Sequence, residues 1–130
     1  MKLSIILLTA ITLFSCNMEK IAPDIKINFV NETQRDIQNV SVNGVNLGTI
    51  KNRNETGLIK FDNFGTDTGM PDCDFISVFQ NDTIKSTSEF FWCGTEKTGL
   101  KPGNYKIIVK LDTVRVDSIT NKKYFRLEFK

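Results

Sequence analysis

There is no histidine anywhere in this 130-residue chain. That removes the commonest general base near neutral pH, the Ser-His-Asp and Cys-His arrangements, and the commonest zinc ligand. Proline and cysteine are scarce, at three each, and tryptophan occurs once. No Cys-x-x-Cys, Gly-x-Ser-x-Gly or phosphate-loop motif is present. The 17 basic residues face 15 acidic ones without a basic run, so the electrostatic footprint of a nucleic-acid binder is missing. No apolar stretch reaches the ~20 residues needed to cross a ~30 Å bilayer core. Paired carboxylates can hydrolyse glycosides, but a chain this short leaves little room for a sugar cleft. The expectation is a protein with no catalytic residues and no cofactor.

What is present begins at the amino terminus. Met1-Lys2 is a short basic start, and Leu3 to Leu13 is almost continuously apolar. Ser15, a small residue, then precedes Cys16. A basic start, a short apolar run and a small residue at the cut describe a secretory signal peptide. The expected organisation is a signal peptide at 1–15, a tether at 16–23 and one domain over 24–130. Leu13-Phe14-Ser15-Cys16 resembles the lipobox of bacterial lipoproteins. The resemblance implies cleavage before Cys16, a diacylglyceryl group on its thiol and an acylated new amino terminus. Two acyl chains already anchor a protein stably, and no amphipathic basic helix is needed. The implied location is the cell envelope, lipid-anchored and palmitate-bearing, at the outer membrane. The alternative is ordinary secretory cleavage that leaves a free cysteine.

Export permits disulfides. With Cys16 committed to lipid, Cys73 and Cys93 remain as an even pair, and a bridge between them is expected. Closing a loop of roughly 20 residues contributes about 3 kcal/mol in the chain-entropy model. Two buried thiols are the alternative.

From Asp24 onward the hydrophobic pattern has period two. Ile25, Ile27 and Phe29 alternate with Lys26 and Asn28, which indicates a half-buried strand. Further strands are expected at Asp36–Val42, Val45–Ile50, Gly57–Phe64, Phe75–Gln80, Thr83–Trp92 and Tyr105–Leu111. A last hairpin is expected from Thr113–Ile119 and Lys123–Lys130. Asn43-Gly44 is a strong turn signal, because both residues tolerate positive φ. Pro102-Gly103 suits a type II turn. Asn63 to Asp74 reads as a long irregular loop and Gly94 to Lys101 as a connection. About eight short strands with regular turns and no helix in the mature chain predict an all-β antiparallel sandwich. A small closed barrel is the alternative. A two-residue turn at Asn81-Asp82 pairs Gln80 with Thr83 and sets Cys73 opposite Phe90. A three-residue turn centred on Thr83 sets it opposite Cys93.

Leu100-Lys101-Pro102-Gly103-Asn104-Tyr105, leading into an apolar strand, resembles the sandwich corner of fibronectin type III and prealbumin-like modules. The resemblance implies that the Tyr105 hydroxyl bonds back to upstream backbone. It implies nothing about function. The segments Ile37–Val42, Leu47–Lys51 and Leu100–Tyr105 together resemble small Bacteroidota lipoproteins, a group that carries no transferable activity. That group O-glycosylates exported proteins at Asp-Ser/Thr followed by an apolar residue. The candidates here are Thr83, Thr113 and Ser118, and chance recurrence of a short motif is the alternative. Asn17-Met18-Glu19-Lys20 does not match the acidic export signal of surface lipoproteins, so the periplasmic and surface faces both stay open.

Two stretches are candidate binding sites. The Asp62–Asp74 loop offers Asp62, Asp67, Asp72 and Asp74 as hard oxygen ligands for Ca²⁺. Its spacing is not that of an EF-hand, and a solvated acidic loop is the simpler reading. In Phe90-Phe91-Trp92, Phe90 and Trp92 share one strand face and belong to the core, which leaves Phe91 as the exposed ring. The functional expectation is a membrane-anchored, non-catalytic envelope lipoprotein with a structural or accessory protein-contact role. The alternative is a lipid-anchored module that binds a glycan, calcium or a protein through the 62–74 loop or exposed aromatics.

Overall fold

The computed structural model describes residues 24–86, 97–115 and 121–130. The signal peptide, Cys16, Phe90-Phe91-Trp92, Cys93 and Ser118 lie outside these residues. The described chain is all β, with eleven strands where about eight are expected.

The first sheet is built around β1 (Ile25–Asn31) and β10 (Gly103–Arg115). β11 (Asn121–Phe129) flanks β10, and the short β4 (Ile59–Phe61) flanks β1. The second sheet has the order β3 (Val45–Ile50), β2 (Ile37–Val42), β7 (Phe75–Phe79), β8 (Asp82–Lys85). A small third sheet consists of β6 (Met70–Asp72), β5 (Gly65–Asp67) and β9 (Lys97–Gly99).

The core lies between the two larger sheets. Period-two patterning turns Ile25, Ile27 and Phe29 of β1 inward, and each is essentially buried. They meet Ile37, Val40 and Val42 of β2 and Phe75 and Phe79 of β7. Phe75 stands at the centre, with its ring 5.9 Å from Phe29 and 5.2 Å from Phe125 of the opposite sheet. These tilted and edge-on contacts add to the area term that holds the sheets together. At one flank a parallel bridge between Ser86 and Phe125 joins the sheets, and no closed barrel forms among the described residues.

Several expectations need correcting. The sandwich is not purely antiparallel: β1 and β10 run parallel over seven residue pairs, from Ile25↔Gly103 to Asn31↔Val109. The strands expected at Tyr105–Leu111 and from Thr113 are one strand, β10. Asp112 does not break it, because its carboxylate accepts a 2.6 Å bond from Arg126 on the neighbouring strand. The loop expected at 63–74 contains the β5–β6 hairpin, turning at Thr68-Gly69 with φ of 48° and 82°. A threonine in the left-handed region is rare, so the sequence carried no turn signal there. The connection expected at Gly94–Lys101 contains β9, which pairs with β5.

Turn chemistry explains the hairpins. Asn43-Gly44 closes β2–β3 with both residues at positive φ and Val42 opposite Val45. In the β7–β8 hairpin the positive-φ pair is Gln80-Asn81, and Phe79 faces Asp82. This is one residue earlier than the sequence suggests, and neither register considered above holds. Gly103 is already the first residue of β10 at φ 158°, far from the ~80° of a type II turn.

Two buried polar groups show how irregularities are accommodated. β2 bulges between Gln38 and Ser41, with Asn39 at φ 50°. The fully buried Ser77 hydroxyl donates to the Gln38 carbonyl at 2.8 Å, satisfying an oxygen beside the break. Asn31, also fully buried, ends β1. Its Nδ2 donates to the carbonyls of Arg35 (2.7 Å) and Ile50 (2.8 Å). Its Oδ1 accepts from the Thr33 amide (2.9 Å) and hydroxyl (2.7 Å).

At the corner, the Tyr105 hydroxyl donates to the Lys101 carbonyl at 2.9 Å. Its half-buried ring lies 6.1 Å from that of Phe129 and covers Gly103, where an added Cβ would come within 3.6 Å of the ring. We expect Tyr105→Phe to lose about 0.5–1 kcal/mol of stability, the net contribution of one hydrogen bond. Urea unfolding checks this, and an unchanged midpoint would remove the bond from the account of the corner.

Candidate functional site

Four segments converge beside the β7–β8 hairpin: the β2–β3 turn, the β6–β7 junction, β8 and the start of β11. Between them lies an open polar cleft of about 450 Å³. Asp72, Cys73 and Asp74 form one wall, and Thr83, Lys85 and Ser86 form another. Asn43, Lys122 and Lys123 complete the rim.

Four hydrogen bonds, two between backbone groups and two through the side chains of Asn43 and Ser86, hold the wall in place. The Asn43 amide donates to the Asp74 carbonyl at 3.0 Å, and the Asp74 amide donates back to Asn43 Oδ1 at 2.8 Å. From the other side, the Ser86 hydroxyl donates to the Cys73 carbonyl at 2.8 Å and its amide to the Phe75 carbonyl at 2.7 Å. The 72–74 segment is thereby clamped to two hairpins far apart in sequence. Neither Asn43 nor Ser86 stood out in the sequence as more than a turn residue and a strand residue.

The cleft carries charges of both signs. Lys97 reaches Asp72 at 3.3 Å, and Lys123 reaches Gln80 Oε1 at 3.2 Å while lying 6.0 Å above the Phe79 ring. The carboxylate of Asp74 and the ammonium of Lys85 make no ion pair among the described residues. Both are exposed, so a ligand with an acidic and a basic or hydroxyl group finds a counterpart for each.

Nucleophilic chemistry has little support in the cleft. The Ser86 proton is engaged by the Cys73 backbone carbonyl. Cys73 packs partly buried against the core, and its thiol is free in this structure. Burial first, and then the nearby Asp72 and Asp74 carboxylates, push its pKa far above the ordinary thiol range. A thiol held protonated is a poor nucleophile. Cys93 lies outside the described residues, and so does the bridge expected to it.

The raised thiol pKa makes stability depend on pH. Above an unfolded thiol pKa of about 8.5, the unfolded chain releases a proton that the folded chain retains. Stability therefore falls as pH rises beyond that point. Urea titrations of wild type and Cys73→Ala between neutral and alkaline pH should show the wild type losing ground against the variant. Parallel profiles would mean that the thiol is already bonded or open to water.

The candidate residues are only partly gathered. Asp62 follows β4 and is exposed, Asp67 is buried on β5, Asp72 sits on β6, and Asp74 is exposed at the cleft. Among the described residues, no group of three or more acidic, cysteine or histidine side chains is placed to hold a metal. Thr83 is exposed on the cleft rim, and Thr113 is exposed on β10 with its amide bonded to Asp112 Oδ1 at 2.8 Å.

The outer face of the first sheet is a ladder of mixed charge. Lys110 meets Glu128 at 2.6 Å, and Arg126 meets Glu128 at 2.9 Å and Asp112 at 2.6 Å. The Lys110 bond, with Arg126 nearby, holds the Glu128 carboxyl below its usual range. Val45, Leu58 and Met70 are the large apolar side chains exposed among the described residues.

No protein-family model, curated protein or solved structure matches this chain.

Proposed function

We propose that this chain is a lipid-anchored, non-catalytic lipoprotein of the bacterial cell envelope, placed at the outer membrane. Its β-sandwich serves a structural or accessory protein-contact role. The observation that carries this reading is Leu13-Phe14-Ser15-Cys16 behind a basic, apolar leader. The mixed-charge surface of the described strands agrees with a domain held at a membrane by lipid instead of by an apolar face of its own. The absence of histidine from the sequence and the protonated Cys73 thiol both weigh against catalysis.

Fractionation of cells that express the wild-type chain tests the reading. The protein should sediment with membranes and enter the detergent-rich phase. A wholly aqueous wild-type protein would overturn it. A second reading, a lipid-anchored module for a small polar ligand, draws support from the cleft, where Asp74 and Lys85, which make no ion pair among the described residues, share one polar opening. Under that reading Lys85→Ala weakens ligand capture and leaves membrane attachment unchanged.

A further inference from the structure

Asp67 is the least comfortable residue of the described chain. It is 94 % buried, being 6 % exposed, and neither carboxylate oxygen has a hydrogen-bond partner. Buried carboxylates are almost always bonded, paired or bound to a metal, because an unsatisfied one is costly.

The register of the small third sheet shows what shares its face. Residues directly opposite in a ladder project to the same side. Asp67 stands opposite Lys97 on β9 and Met70 on β6, while Gly65, two residues back on the same face, stands opposite Asp72 and Gly99. Asp67 and Asp72 are thus diagonal neighbours, with Cβ atoms expected within about 7 Å. The floor beside them is bare, since Gly65 and Gly99 project no side chain. Asp72 leans over it, with Oδ2 3.7 Å from where a Gly65 Cβ would stand. The Lys97 ammonium already sits 3.3 Å from that oxygen, so this side of the sheet accepts positive charge. A single ammonium there satisfies Asp72 and leaves Asp67 without a partner.

We propose that Asp67 and Asp72 bind one divalent cation of the Ca²⁺ class over the glycine floor of the third sheet, with Lys97 displaced to solvent. Ca²⁺ takes six to eight oxygens at flexible geometry, so two carboxylates suffice when main-chain carbonyls and water fill the other positions. Mg²⁺ demands a stricter octahedron and keeps its water, and it fits less well. With two charged ligands the site belongs at the weak end of extracellular calcium modules, with Kd on the order of 0.1–1 mM. Because Asp72 also lines the cleft, the ion and a cleft ligand share a wall. The proposal is independent of the lipid anchor.

Thermal unfolding of the detergent-solubilised full-length protein tests it, with EDTA or about 10 mM CaCl₂ at matched ionic strength, roughly ten-fold above the weakest expected Kd. The wild type should gain several degrees in Tm with calcium, while Asp67→Asn and Asp72→Asn should gain none. In EDTA, Asp67→Asn should melt no lower than wild type, because it removes a buried carboxyl group whose two oxygens have no hydrogen-bond partner. Should Asp67→Asn fail to fold, Asp72→Asn, whose side chain is partly exposed, carries the test alone. A wild type indifferent to calcium overturns the proposal, as does a calcium shift that survives either substitution.

Discussion

Cys16→Ala should move the protein completely from the membrane pellet to the soluble fraction and abolish its labelling with palmitate. The expectation follows from the energetics of anchoring. Each buried methylene contributes about 0.8 kcal/mol, and a second acyl chain turns marginal binding into stable binding. The described domain offers no substitute, since its outer strand face is a charge ladder and its exposed large apolar side chains are few. Loss of the thiol therefore removes the attachment as a whole. The variant domain should remain folded, because the core between the sheets draws on residues from Ile25 onward. A Cys16→Ala protein that stays with membranes and resists high salt would show that something other than lipid holds it there.

The second large effect concerns Asn31. Asn31→Ala should lower stability by about 3 kcal/mol, enough to lower Tm by roughly 10–15 °C in a domain of this size. The side chain has no exposure and joins four segments of chain: β1, the turn at Thr33, the carbonyl of Arg35 and the end of β3. Alanine removes the side-chain partner of the Ile50 carbonyl and of the Thr33 amide at a buried site, while the Arg35 carbonyl keeps the Thr33 hydroxyl at 3.0 Å; each orphan costs about 1–3 kcal/mol before relaxation and water entry reduce the sum. The backbone of Asn31 is also engaged, donating to Asn54 at 2.9 Å and accepting from Arg53 at 3.0 Å, so the neighbouring loops are expected to loosen together. Urea unfolding monitored by far-UV dichroism measures the effect. A loss below about 1 kcal/mol would mean that water replaces the side chain without penalty.

Neither Asn31 nor the Asn43–Ser86 clamp was legible in the sequence. An asparagine at the end of an apolar strand looks like the first residue of a turn, and only the three-dimensional return of Arg35 and Ile50 makes it a junction. The strands of the core were legible because Ile25, Ile27 and Phe29, and later Phe125, Leu127 and Phe129, keep strict alternation with polar residues. The third sheet was not, because Gly65-Thr66-Asp67 and Lys97-Thr98-Gly99 are short, polar and glycine-bearing, and nothing apolar alternates in them. Their pairing rests on backbone bonds and on Thr66 and Thr98, whose hydroxyls lie 2.8 Å apart. The β7–β8 turn was misplaced by one residue because Asn81-Asp82 carries the stronger turn chemistry on paper. The pleat decides otherwise: Phe75, Ser77 and Phe79 must all face the core, and that fixes the strand's last residue at Phe79. Among the acidic residues of the 62–74 stretch, spacing alone could not single out Asp67 and Asp72, which the β5–β6 register places on one face.

The central claim is that this sandwich is a lipoprotein tethered through Cys16. Mass spectrometry of the mature amino-terminal peptide, isolated from the membrane fraction, tests it most directly. The account predicts a chain that begins at Cys16 and carries a diacylglyceryl group on sulfur and an acyl group on nitrogen. A mature chain that begins elsewhere, or at an unmodified Cys16, would contradict it.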